Sequence, residues 1–309
     1  MSSRAPETSA TSLPSGNAAL DAALREIGLH WAGDIHRGSD QVKRLYAPVL
    51  AAAPRGDVTL LRDVAYGDHL RQRLDIFRPA VPRADGAVVL FVHGGAFVRG
   101  DMRATDEIYD NVLYWFARQG YLGCNVEYRL APEAPYPAGA DDIAAAVAWV
   151  AQHAGALGGN AAKIHLIGHS AGGTHVASYA FDPALGHAGR LLAAIVLVSA
   201  RVRADDSPEN PNAAGVQAYF GDPANFEVRS PVNHAAASAL PLMIVVAQYE
   251  NPLLDVYGIE LAYRVAQARR RAPRFVRMQG HNHMSIVAHF NSGEETLGRA
   301  IVDFFATLD

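Results

Sequence analysis

Ser170 stands in Gly168-His169-Ser170-Ala171-Gly172, between the mostly apolar run Ile164 to Ile167 and an alanine-rich helical pattern. A serine between glycines at that spacing, on a strand-to-helix corner, is a nucleophile elbow. The turn is so tight that the serine must adopt a strained backbone, and Gly168 and Gly172 leave room for the crowded strand and helix. The hydroxyl would be held out at the top of a sheet, with the N–H of Ala171 free to bind an oxyanion. Such a serine attacks a carbonyl when a base takes its proton, a further group orients that base, and donors receive the oxyanion. A source of donors lies upstream. His93-Gly94-Gly95-Ala96-Phe97 directly follows the apolar run Val88 to Val92, and a His-Gly-Gly loop there turns the N–H groups of Gly94 and Gly95 toward the space above the elbow. His93 itself reads as structural, bonding to backbone.

These groups need strands that end at one edge of a sheet, where the sites of open α/β sheets lie. Residues 17 to 53 carry helical periodicity through Leu20, Leu24, Ile27 and Trp31, then Val42, Leu45, Tyr46 and Leu50. Strand patterns over Thr59 to Tyr66 and Arg73 to Phe77 flank a Gly67-Asp68 turn signal and should pair antiparallel. From Val88 to Val92, apolar enough to be buried on both faces, strands and helices alternate. Helices are expected over 105–119, 138–153, from 171, over 255–271 and over 294–307. Strands are expected over 121–128, 164–167, 194–198, 242–247 and 274–278. Asp141 and Asp142 suit the first turn of their helix. The fold class is therefore α/β, with eight strands in a mostly parallel sheet. The segment 201–239, with Pro208, Pro211, Pro223 and Pro231 and one short helix over Ala213 to Tyr219, breaks the rhythm. Such excursions usually cover a site or shape a pocket.

With 309 residues, 50% of them hydrophobic and 19% charged, the chain can bury the large core such a sheet needs. A net charge of −4 supplies no electrostatic attraction to nucleic acid or an anionic membrane. The basic cluster Arg269-Arg270-Arg271 ends an expected helix, where cations complement the dipole. The single cysteine, Cys124, excludes an intrachain disulfide and reads as a buried, inert thiol. No apolar run approaches the roughly 18 residues of a membrane span. Residues 1–16, rich in Ser, Ala, Thr and Pro, lack the apolar core of a secretory signal and read as a disordered tail on a cytoplasmic protein. No phosphate loop, dinucleotide fingerprint or metal-ligand spacing is present, so neither a cofactor nor a metal is expected.

His-Gly-Gly-Ala-Phe and Gly-His-Ser-Ala-Gly-Gly, with Tyr128-Arg129-Leu130-Ala131-Pro132-Glu133 between them, resemble the α/β-hydrolase superfamily. More narrowly, the chain resembles hormone-sensitive-lipase-like carboxylesterases and the neighbouring aryl formamidases, from about Val58 to Phe305. The resemblance implies an α/β-hydrolase fold with a small cap, and a Tyr-Arg-Leu-Ala-Pro-Glu segment that helps wall the site. The hormone-sensitive-lipase branch usually has Asp before the serine; His169 here moves the chain toward the formamidase side. The base is expected in the loop after the last strand, Gly280-His281-Asn282-His283-Met284. The family's pattern of glycine, short spacer, then histidine before an apolar residue favours His283 over His281, which would support the loop. The rival reading of the two histidines as a metal pair has no third ligand cluster. The acid is expected after the preceding strand, in Tyr249-Glu250-Asn251-Pro252-Leu253-Leu254-Asp255. The family's Tyr-Asp-Pro-Leu is lengthened here by one residue. Alignment on Tyr249 makes Glu250 the orienting carboxylate, with Asp255 the fallback.

The leading reading is a serine hydrolase of small carboxylic esters acting through an acyl-enzyme. Ser170 attacks, His283 moves the proton, Glu250 orients His283, and Gly94, Gly95 and Ala171 hold the oxyanion. Residues 17–53 and the excursion at about 201–239 would cap the hydrolase domain of 54–309, restricting it to short-acyl or aryl substrates. An arylformamidase or related amidase is the alternative; a catalytically silent ligand receptor on the same fold is a third. The partner is a small molecule, with a homo-oligomer open.

Overall fold

The apolar runs expected to be covered on both faces form the middle of one eight-stranded sheet in the computed structural model, which describes residues 17–308. The tail expected over 1–16 lies outside the described residues. Two helices come first, α1 (Ala18–Leu29) and α2 (Ile35–Ala51), then strands β1 (Val58–Ala65), β2 (Arg73–Pro79) and β3 (Val88–Val92). Next come α3 (Asp110–Arg118), β4 (Leu122–Val126), α4 (Ala138–Leu157), β5 (Ile164–His169), α5 (Ala171–Phe181) and β6 (Leu192–Val198). The excursion holds α6 (Ala213–Phe220), the single turn α7 (Phe226–Arg229) and three-residue 3₁₀ turns. The chain closes with β7 (Leu242–Tyr249), α8 (Leu254–Arg269), β8 (Arg274–Asn282), the turn α9 (Ser285–Ala288) and α10 (Thr296–Ala306).

The strand order is β1-β2-β4-β3-β5-β6-β7-β8. β1 pairs antiparallel with β2 as expected, and β2 also pairs antiparallel with β4, so the parallel run begins at β4. Period-two alternation divides the core. Val89, Phe91, Ile167 and Val196 face α1, α2, α3 and α10, whereas Val88, Leu90, Leu166 and Ile195 face α4, α5 and α8. Cys124 is buried in β4, and burial pushes its thiol up to about 12, so it is inert.

Two departures bear on the site. The helix expected from Thr105 starts only at Asp110, because the Thr105 hydroxyl accepts the N–H groups of Glu107 and Ile108 at 3.2 and 3.0 Å and holds a turn instead. β7 and β8 extend past their apolar stretches. After a bulge they pair again, Tyr249 opposite Asn282, and the Gln248 carboxamide oxygen accepts the Gly280 N–H at 2.6 Å. This extension brings the residues that follow the two strands side by side.

Candidate active site

Ser170 joins β5 to α5 with φ 55° and ψ −123°, a conformation costing about 1–3 kcal/mol that the surrounding packing must impose. Gly172 shows how tight that packing is: a Cβ there would lie 2.3 Å from the His93 carbonyl oxygen. The end of β3 therefore passes directly against the start of α5, which sets the His93–Phe97 loop beside the serine. In that loop Gly95 has φ 154°, and a Cβ would stand 1.8 Å from the Arg99 carbonyl oxygen, so only glycine fits. The N–H of Ala171 lies in the first turn of α5, where it has no partner within the helix and the dipole favours negative charge.

The loop is braced from behind. His93 is fully buried, its Nδ1 2.7 Å from the Gly94 carbonyl and its Nε2 2.9 Å from the Glu127 carboxylate. Burial pushes the Glu127 carboxyl up, but His93, Arg71 and the Met102 N–H together hold it below the usual carboxylate range. The Tyr128 hydroxyl donates to the His93 carbonyl at 2.9 Å, and Asp142 accepts the Arg129 N–H at 2.8 Å. Asp142 thus makes a tertiary tie rather than a helix-end interaction. The segment 128–133 does not line the cavity at Ser170; it supports the loop that does, which corrects its expected place in the wall.

His283 Nε2 lies 3.0 Å from Ser170 Oγ, and His283 Nδ1 lies 2.5 Å from Glu250 Oε1. The carboxylate is sealed, with 2% of its side chain exposed. Burial pushes its pKa up, yet the neighbouring His283 and the Ala247 N–H bring it below the usual range. The N–H of Asn251 adds a hydrogen bond at 2.9 Å. Asp255 accepts the N–H of Val256 at the start of α8 and does not join the group. His281 forms a second Ser-His-Glu arrangement, 3.2 Å from Ser285 Oγ and 3.0 Å from Glu294. Its ring and the glutamate are 0% and 1% exposed; no substrate reaches them, so this arrangement pins the loop carrying His283.

The hydroxyl opens into a cavity of about 420 Å³. Six of its lining residues come from the N-terminal segment: Trp31, Ile35, His36, Ser39, Asp40 and Lys43; the 201–239 excursion contributes Asn212. Trp31 donates its indole N–H to Asn251 Oδ1 at 2.8 Å, tying this segment to the loop of Glu250. Among the described residues there is no group of three or more His, Cys, Asp or Glu that could hold a metal ion, and no helix long and apolar enough to cross a membrane.

A family model, BD-FAE, matches residues 74–181, from β2 to the end of α5. Over 102 residues the chain is 42% identical to the esterase LipI of Mycobacterium tuberculosis, covering 31% of this chain and 29% of that protein. With the arylesterase of Saccharolobus solfataricus it shares 28% identity over 274 residues, 82% of this chain and 87% of that one. The chain spans about a third of the length of the first curated relatives it matches. A solved bacterial heroin esterase superposes with a TM-score of 0.69 at 23% identity, over 90% of this chain and 93% of that one. The chain has the fold of the α/β-hydrolases.

Reading the protein from its sequence located Ser170, Glu250 and His283 but missed what surrounds them. Tyr109 lines the cavity beside Gly94 and His169, and the Gly94 N–H faces its hydroxyl. His169 turns its Nε2 to the His283 carbonyl at 2.9 Å. Neither contact has a local signal: Gly94 and Tyr109 are 15 residues apart and His169 and His283 are 114 apart.

Proposed function

We propose that this protein cleaves small carboxylic esters through an acyl-enzyme on Ser170. The observation that supports the reading is the continuous line Ser170 Oγ, His283, Glu250, at 3.0 and 2.5 Å, opening into a cavity lined by Gly94 and Gly95. Ser170 Oγ bonds to the ester carbon as its proton passes to His283 Nε2, and the carbonyl electrons move onto oxygen. Gly95 and Ala171 receive that oxyanion, with Gly94 sharing its N–H between it and Tyr109. Collapse expels the alcohol oxygen, which takes the proton from His283. Water then attacks the acyl-enzyme by the same route, freeing the acid and restoring Ser170. Glu250 keeps Nδ1–H bound, so that Nε2 is the nitrogen that accepts the proton.

The cavity of about 420 Å³ under α2 and Trp31 suits a small ester, with the N-terminal segment as its cap. A p-nitrophenyl ester series from acetate to decanoate should peak at the short end. Ser170→Ala should lose at least about 10⁴-fold in kcat; full turnover in that variant would end the reading. N-formylkynurenine in the same panel tests the formamidase alternative, and failure of a fluorophosphonate to label Ser170 would instead favour a silent receptor.

A further inference from the structure

Three segments must keep register for the proposed reaction: the loop of Gly94, the elbow of Ser170 and the loop of His283. One chain of hydrogen-bonding groups joins all three. The Gly94 N–H faces the Tyr109 oxygen, and the Tyr109 hydroxyl lies 3.5 Å from His169 Nδ1. His169 Nε2 lies 2.9 Å from the His283 carbonyl. A carbonyl only accepts, so Nε2 carries the proton and Nδ1 presents its lone pair to Tyr109. Every donor then points the same way, from oxyanion loop to base, and such a chain is mutually polarised.

We propose that His169, its free nitrogen lone pair matched by the Tyr109 hydroxyl, is a positioning residue that holds the catalytic base against Ser170 by gripping the His283 backbone carbonyl. The inference rests on the ester-hydrolase reading of the site. His283 is held at both ends of its own peptide: its N–H donates to the Tyr249 carbonyl at 3.2 Å, and its carbonyl is the one His169 holds. The first bond ties it to the acid strand, the second to the residue next to the nucleophile. His169 is 2% exposed, and its ring centroid lies 4.9 Å from that of His283. Burial, with His283 and His93 nearby, keeps its pKa well below the ordinary value, so the ring stays neutral and keeps one donor and one acceptor. Burial likewise pushes the Tyr109 hydroxyl up to about 12, so it retains the proton it offers. An ionised aspartate at position 169 has no proton to give a carbonyl.

His169→Leu, His169→Gln and Tyr109→Phe test this, with kcat and KM for p-nitrophenyl acetate, the rate of fluorophosphonate labelling and a melting curve for each. Loss of the donor in His169→Leu should lower kcat and labelling together by about 100-fold, with KM within about threefold. His169→Gln, whose amide N–H reaches the place of Nε2, should recover to within about tenfold of wild type, and Tyr109→Phe should fall by about tenfold. If His169→Leu does not fold, His169→Asn, polar but too short to reach the carbonyl, takes its place with the same expected loss. Wild-type kcat in the donorless variant, or an equal fall in His169→Gln, overturns the positioning role and leaves the ester-hydrolase reading standing. A wild-type protein that neither takes the label nor turns over esters overturns both.

Discussion

Glu250 and Asp255 lie five residues apart, and the two candidate carboxylates have different work. Glu250 is buried against His283 and backbone N–H groups, whereas Asp255 holds the first turn of α8. Glu250→Gln keeps the shape but removes the charge that compensates a protonated imidazole, and should cost about 10⁴-fold in kcat. Asp255→Asn should leave kcat within about twofold and cost at most about 1 kcal/mol through its helix-end bond. Steady-state rates and urea midpoints for the two variants separate the roles; comparable losses would return Asp255 to candidacy. The residue types were legible here, because serine, glutamate and histidine follow strand ends in a recognisable order. Exposure was not: Ser285, His281 and Glu294 have the same chemistry, and only their burial removes them.

At the scale of elements, the N-terminal segment reaches the site through Trp31 and one face of α2. His36, Ser39, Asp40 and Lys43 recur at helical spacing and line the cavity, while Ile35, Val42, Tyr46 and Leu50 pack into the core. Trp31→Ala should destabilise the fold by about 3–5 kcal/mol through lost packing, and should raise KM as the cavity wall opens. Trp31→Phe keeps most of the bulk and leaves Asn251 Oδ1 without its indole donor, so a loss of about 1–3 kcal/mol is expected. Urea unfolding with parallel KM measurements checks both, and an unchanged KM in Trp31→Ala would remove the segment from the site. Periodicity revealed that both helices exist. It did not reveal that a polar face of α2 borders the cavity, because polar spacing looks the same whether solvent or substrate lies opposite.

Across the whole molecule, three buried histidines make stability depend on pH. Burial holds His169 well below the ordinary value; burial and His93 bring His175 to about 3, and burial and His281 bring His289 to about 4. Unfolded histidines take up protons below about 6.5, so between that pH and the folded values the unfolded state binds more protons. Stability is then fully present above about pH 6.5 and falls by about 1.4 kcal/mol per pH unit for each such histidine as pH drops. Glu127, Glu250 and Glu294, held below the usual carboxylate range, add a further loss below about pH 4.5. Urea midpoints at pH 7, 5.5 and 4.5 should fall steeply, and His175→Gln should flatten the slope. A pH-independent midpoint over that range would show that these rings protonate freely in the folded state.

The sequence by itself determined the order of strands and helices, the elbow, the glycine loop after β3 and the residue types after the last two strands. Those follow from periodicity, glycine placement and short-range turn chemistry, which act within a few residues. Only the tertiary structure decided that β2 pairs with β4, and that β7 and β8 re-pair past a bulge to set Glu250 beside His283. It also decided that one of two Ser-His-Glu sets is sealed, and that His169 reaches the base. Each of these depends on contacts between distant segments, where burial and hydrogen-bond satisfaction are settled by packing rather than by neighbours along the chain.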